Sequence, residues 1–71
     1  MEKVYASMAG IVLNVLVKAG EKIHDGQEVL TLESMKMEVP VQSPAGGTVK
    51  EVKVNVGDFV NEGDELLVIK N

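Results

Sequence analysis

The chain repeats itself, and that repetition restricts its fold more than any other feature. At an offset of 36 residues, Glu2, Ser7, Ala9 and Gly10 fall on Glu38, Ser43, Ala45 and Gly46. One inserted residue, Gly47 or a neighbour, then lengthens the offset to 37. From there Val12, Val15, Val17, Gly20, Gly26, Glu28 and Leu30 fall on Val49, Val52, Val54, Gly57, Gly63, Glu65 and Leu67. Conservative matches fill the gaps: Glu21 with Asp58, Ile23 with Val60, Asp25 with Glu62 and Leu32 with Ile69. Two copies are too few for a solenoid, whose units bury their apolar faces only by stacking three or more. The 71 residues therefore read as one domain, residues 1–71, with a pseudo-twofold axis. That length is near the lower limit for a single self-sufficient core.

Each half reads as short strands. Apolar and polar residues alternate in Val49–Val54 and in Glu28–Glu33, the period of a half-buried strand. Turn chemistry separates them: Ala19-Gly20-Glu21, His24-Asp25-Gly26, Asn55-Val56-Gly57-Asp58 and Asn61-Glu62-Gly63-Asp64. No eleven-residue window carries a helical period. Pro40 has no N–H to donate, which confines its strand to an edge or a bulge. About eight short strands in 71 residues predict an all-β fold, a small antiparallel sandwich or flattened barrel. Its core is expected from the paired positions Val12/Val49, Val15/Val52, Val17/Val54, Leu30/Leu67 and Leu32/Ile69.

Composition narrows the function. There is no cysteine, hence no disulfide, thiolate metal site or thiol nucleophile. The net charge is −4, the seven lysines are scattered, and there is one Tyr and one Phe. Nucleic-acid binding calls for a basic stripe and stacking aromatics, so it is not expected. No apolar run is long enough for a membrane helix, and the N-terminus lacks a signal-peptide pattern. A soluble cytoplasmic domain, monomeric in isolation, is the expectation. A start at Met1 without a linker favours a whole protein over an excised piece.

One segment breaks the local rules. In Glu33-Ser34-Met35-Lys36-Met37-Glu38 the repeat makes the link between two strands the counterpart of the gap between the chain ends. A projecting hairpin follows, with Met35 and Lys36 as its loop, at the opposite end of the body from the termini. Ser34 would then pair with Met37, Glu33 with Glu38 and Leu32 with Val39. Two-residue hairpin loops favour Asn-Gly or Asp-Gly, because their central residues need positive φ. Met-Lys is costly there, and Glu33 opposite Glu38 sets like charges across the ladder. Such conflicts between local choice and stability are expected at functional sites. A lysine that acts as base or Schiff-base former needs an apolar surround or a neighbouring cation. Lys36 has water and two glutamates, so it suits the part of substrate: an amine to be acylated by another enzyme.

These residues resemble the biotin/lipoyl attachment family. Glu33-Ser34-Met35-Lys36-Met37-Glu38 is similar to the family's E-(A/S)-M-K-M signature, and the Gly20/Gly26 and Gly57/Gly63 turns match its pattern. The resemblance covers essentially the whole chain and is nearest to small stand-alone bacterial attachment proteins. Longer acetyl-CoA carboxylase carriers often have an alanine/proline-rich linker and a protruding thumb; Val17-Lys18-Ala19-Gly20 leaves no room for one. The resemblance implies a flattened barrel of two four-stranded antiparallel sheets, the barrel-sandwich hybrid. It implies biotin joined as an amide to Lys36 by a biotin–protein ligase, with lipoate as the alternative cofactor. Glu33, Ser34, Met35, Met37 and Glu38 would be the motif that the ligase reads. The chain itself would be no enzyme but the carrier of a biotin-dependent carboxylase, moving CO2 between biotin carboxylase and carboxyltransferase partners. Lipoyl domains usually place Asp before and Ala or Ser after the lysine, where this chain has Met on both sides. Efflux-adaptor modules of similar fold split the halves with a helical hairpin and lack the tip lysine.

Three other candidates carry less chemistry. Ala45-Gly46-Gly47 lacks the lysine and helix of a phosphate loop. His24 has Asp25 beside it but no second ligand at metal spacing. Asn61-Glu62-Gly63-Asp64 lacks the spacing and final glutamate of a calcium loop.

Overall fold

Valine-, isoleucine- and leucine-rich runs between glycine turns leave the backbone one economical way to satisfy its polar groups, pairing in sheets. The computed structural model describes residues 1–71 and contains strands and turns but no helix. Strands β1 (Glu2–Tyr5), β2 (Gly10–Val15), β3 (Lys22–Ile23) and β4 (Glu28–Ser34) make the first half. The second half comprises β5 (Met37–Gln42), β6 (Gly47–Val52), β7 (Phe59–Val60) and β8 (Glu65–Lys70). Two four-stranded antiparallel sheets result, ordered β1-β8-β6-β3 and β5-β4-β2-β7. Exchanging each strand for its counterpart in the other half turns one order into the other, so each sheet takes strands from both halves. Pro40 lies on β5, an edge strand, as its missing N–H requires.

The structure corrects the repeat in one respect. Gly10 pairs with Val60 and Gly47 with Ile23, and Tyr5 pairs with Glu65 where Gln42 pairs with Glu28. Both comparisons give an offset of 37 from the first strand onward, with no inserted residue. The 14 backbone hydrogen bonds outside the ladders fall into seven pairs at the same offset. Ala6 N donates to Asp64 O as Ser43 N donates to Gln27 O, and Val12 N to Asp58 O as Val49 N to Glu21 O. The identities at offset 36 were side-chain coincidences; the fold preserves ladder position. Gly10 and Gly47 show what it preserves. A Cβ on Gly10 would stand 2.5 Å from Glu33 O, and one on Gly47 would stand 2.5 Å from Lys70 O. Only glycine lets the backbones approach so closely there.

Leu30, Leu32, Leu66, Leu67 and Ile69 are completely buried between the sheets, with Val12, Val49, Val4, Val41 and Ile23 around them. Of the expected core pairs, Val12/Val49, Leu30/Leu67 and Leu32/Ile69 are in place. Val15, Val52 and Val54 are only partly buried and border a shallow surface groove. The physical reason lies at the strand ends: β2 stops at Val15 and β6 at Val52, two residues short of the expected Val54, so these side chains border the groove and are not enclosed between the sheets. Val17 alone of that group is buried. No helix is long and apolar enough to cross a membrane. The body measures 33 × 19 × 18 Å along its principal axes.

Candidate functional site: the tip of the β4–β5 hairpin

The β4–β5 hairpin forms with the expected register: Ser34 opposite Met37, Glu33 opposite Glu38 and Leu32 opposite Val39. Met35 and Lys36 make the two-residue turn, with φ of 53° and 64°. Both values lie in the left-handed region, the type I′ geometry that glycine and asparagine enter at least cost. They are the only non-glycine residues of the chain at positive φ. Elsewhere such positions are glycine, as at Gly20, Gly26, Gly57 and Gly63. Leu32 anchors the base of the hairpin in the core, and the chain then runs out of core to cover.

The tip side chains therefore stand in solvent. Met35 is 92% exposed and Met37 66%, an unusual placement for two large apolar residues. Lys36 is exposed, and its ammonium has no ion-pair partner; the chain's ion pairs are Lys3 and Lys53 with Glu65, on the other sheet. Glu33 and Glu38 are exposed and face one another across the ladder, while Ser34 is half-buried. All six motif residues thus share one projection, with Lys36 at its apex. The amine is unhindered, which is what an acylation site requires of its nucleophile. The carboxylates nearest in sequence, Glu33 and Glu38, lie on the strands that flank the turn.

Sequence reasoning missed two neighbours. Ile11 and Phe59, 42% and 64% exposed, pair with each other next to Glu33. A groove runs from them past Gly10 and Ser34 to Met35 and Lys36. The signal was available: at the offset of 37, Ile11 falls on Thr48 and Phe59 on Lys22, apolar against polar. The weaker candidates resolve as turns. His24 N donates to Gln27 Oε1 at 2.9 Å, and Asn61 N donates to Asp64 Oδ2 at 2.8 Å. No group of three or more His, Cys, Asp or Glu could hold a metal ion.

Comparison with known proteins now decides the family. Residues 2–69 match the biotin/lipoyl family model, described as biotin-requiring enzyme. The chain belongs to the biotin/lipoyl attachment family. The biotin/lipoyl attachment protein of Bacillus subtilis (strain 168) is 59% identical over 64 residues, 90% of this chain and 88% of that protein. The biotin carboxyl carrier protein of acetyl-CoA carboxylase from Solanum lycopersicum is 47% identical over 68 residues, 96% and 97% of the two chains. Among solved structures, urea carboxylase of Kluyveromyces lactis contains a similar domain, with TM-score 0.91 and 29% identity. That match covers 97% of this chain and 6% of the carboxylase. The fold is thus the two-sheet barrel found within biotin-dependent carboxylases.

Proposed function

We propose that the chain is a biotin carboxyl carrier whose Lys36 is joined to biotin by a biotin–protein ligase. The observation that carries this reading is the unpaired amine at the apex of a strained, solvent-exposed turn between two exposed methionines. Acylation makes one amide bond: the Lys36 Nζ lone pair attacks the activated carbonyl carbon, the activating group leaves, and the nitrogen gives up a proton. The chain contributes presentation. A short β-hairpin, braced by the pairs Leu32–Val39 and Thr31–Pro40, holds the amine clear of the body so that a ligase active site can close around it. When attached, biotin supplies the group on which CO2 travels between an ATP-dependent carboxylation site and an acceptor site. The biotin carboxylase and carboxyltransferase partners of a biotin-dependent carboxylase would provide those sites. Glu33 and Glu38 put negative charge on both sides of the turn and favour an approaching surface of positive charge.

A second reading, lipoate on the same lysine, draws support from the 59% identity to a protein named for both attachments. Met35 and Met37, in place of the usual lipoyl-domain neighbours, favour biotin. The test is incubation with ligase, ATP and biotin, followed by intact mass and an avidin gel shift. One biotin mass is expected on the wild-type chain and none on Lys36→Arg. Modification persisting in that variant, at any of the six other lysines, would sink the assignment.

A further inference from the structure

The pseudo-twofold axis gives every surface position an internal control, and one row of side chains fails to match its counterpart. Across the tip end of the second sheet, Glu38 lies opposite Glu33, Glu33 opposite Ile11, and Ile11 opposite Phe59. All four are exposed. At the offset of 37, the corresponding residues are Met1, Lys70, Thr48 and Lys22, with Lys70 opposite Thr48 and Thr48 opposite Lys22 on the other sheet. One end of the molecule thus presents two acids followed by two apolar side chains; at the other end the acids are replaced by Met1 and Lys70, and the apolar pair Ile11 and Phe59 by the polar Thr48 and the basic Lys22. Folding does not demand the difference, because Thr48 and Lys22 occupy the same ladder positions in a sheet of the same design. Exposed apolar residues without a packing role mark contact surfaces. The Ile11–Phe59 pair is also continuous, through the groove past Gly10 and Ser34, with Met35 and Lys36.

We propose that Ile11 and Phe59, together with Glu33 and Glu38, form a docking strip for the enzyme that acylates Lys36. The inference rests on the carrier reading and adds specificity-determining residues outside the hairpin motif. Reach selects this partner over the carboxylase subunits. A bare lysine amine can be acylated only by an active site that closes over the tip, which brings the enzyme's rim onto the adjoining row. A cofactor on its extended arm can be reached from farther away, with less need of contact at Phe59. The complementary surface would carry an apolar pocket for Phe59 beside basic groups facing the glutamates.

The test exchanges each residue for its own symmetry counterpart, a change the fold already accommodates. Ile11→Thr with Phe59→Lys is compared with the mirror variant Thr48→Ile with Lys22→Phe. Both are assayed as unmodified 71-residue chains with biotin–protein ligase, ATP and biotin, and folding is monitored by thermal melts. The tip variant should raise the ligase KM about tenfold or more, as loss of an aromatic anchor does, while kcat changes little. The mirror variant should match wild type. A second tip variant, Phe59→Ser alone, should raise KM in the same direction and guards against misfolding of the double variant. Ligase KM within twofold of wild type in both tip variants would overturn the inference while leaving Lys36 as the attachment site. So would an equal loss in the mirror variant, or a strip that only contacts the attached cofactor and leaves ligase KM unmoved. A wild-type chain that takes up no biotin would overturn the carrier reading and this inference together.

Discussion

Two kinds of tight turn coexist in this molecule and meet the same backbone demand differently. Gly20, Gly26, Gly57 and Gly63 turn the chain at φ between 86° and 95°, and a Cβ at any of them would meet nothing within 4 Å. Met35 and Lys36 turn it at 53° and 64° with full side chains. At the glycine turns residue choice follows the backbone. At the tip the backbone adapts to residues chosen for another reason, and Glu33 facing Glu38 adds like-charge repulsion. The difference separates scaffold from site: where stability decides, glycine is used, and where an exposed amine between methionines is needed, the fold accepts strain.

Point substitutions on either side of that division should differ in what they cost. The largest effect is expected in the scaffold, far from any turn. Leu67→Ala removes a completely buried side chain and should cost about 2–5 kcal/mol in urea unfolding. In a domain of this size that is a large part of the total. Biotin uptake by the fraction that remains folded should be unaffected.

Gly47→Ala should come next. The new methyl would lie 2.5 Å from Lys70 O and 2.8 Å from Ile69 Cγ2, with φ of +154°. Backbone and core must shift, a loss of about 1–3 kcal/mol. Gly57→Ala isolates strain from crowding, since its surroundings are open and only φ of +95° opposes it. A loss of about 1 kcal/mol is expected. If Gly57→Ala proved as damaging as Gly47→Ala, close approach would not be the reason for glycine at position 47.

Much of this was legible in the sequence because the relevant physics is local. Turn glycines, apolar alternation and the absence of helical period pointed to an antiparallel sandwich or flattened barrel of about eight strands, and the family resemblance implied its division into two four-stranded sheets. The placement of Met35-Lys36 between halves fixed the hairpin and its register. Other features depend on pairing across strands, which a linear comparison weighs poorly. Identities such as Glu2/Glu38 and Ser7/Ser43 pulled the first segment to an offset of 36, whereas the ladders hold 37 throughout. Val15, Val52 and Val54 alternate like core residues, but they lie at or beyond the ends of β2 and β6 and are only partly buried. Ile11 and Phe59 are far apart in sequence, and only the β2–β7 ladder brings them beside the lysine hairpin.

The most direct test of the division between scaffold and site is a single exchange, Met35-Lys36 to Asn-Gly, measured for stability and for modification on the same preparation. Asn-Gly suits the type I′ turn, and no buried contact is lost. The urea midpoint of the unmodified chain should stay the same or rise, the unfolding free energy gaining up to about 1 kcal/mol, while biotin incorporation falls to zero. A clear drop in the midpoint would contradict the account, because it would make the methionine–lysine turn a support of the fold and not a strain that the fold carries for the sake of Lys36.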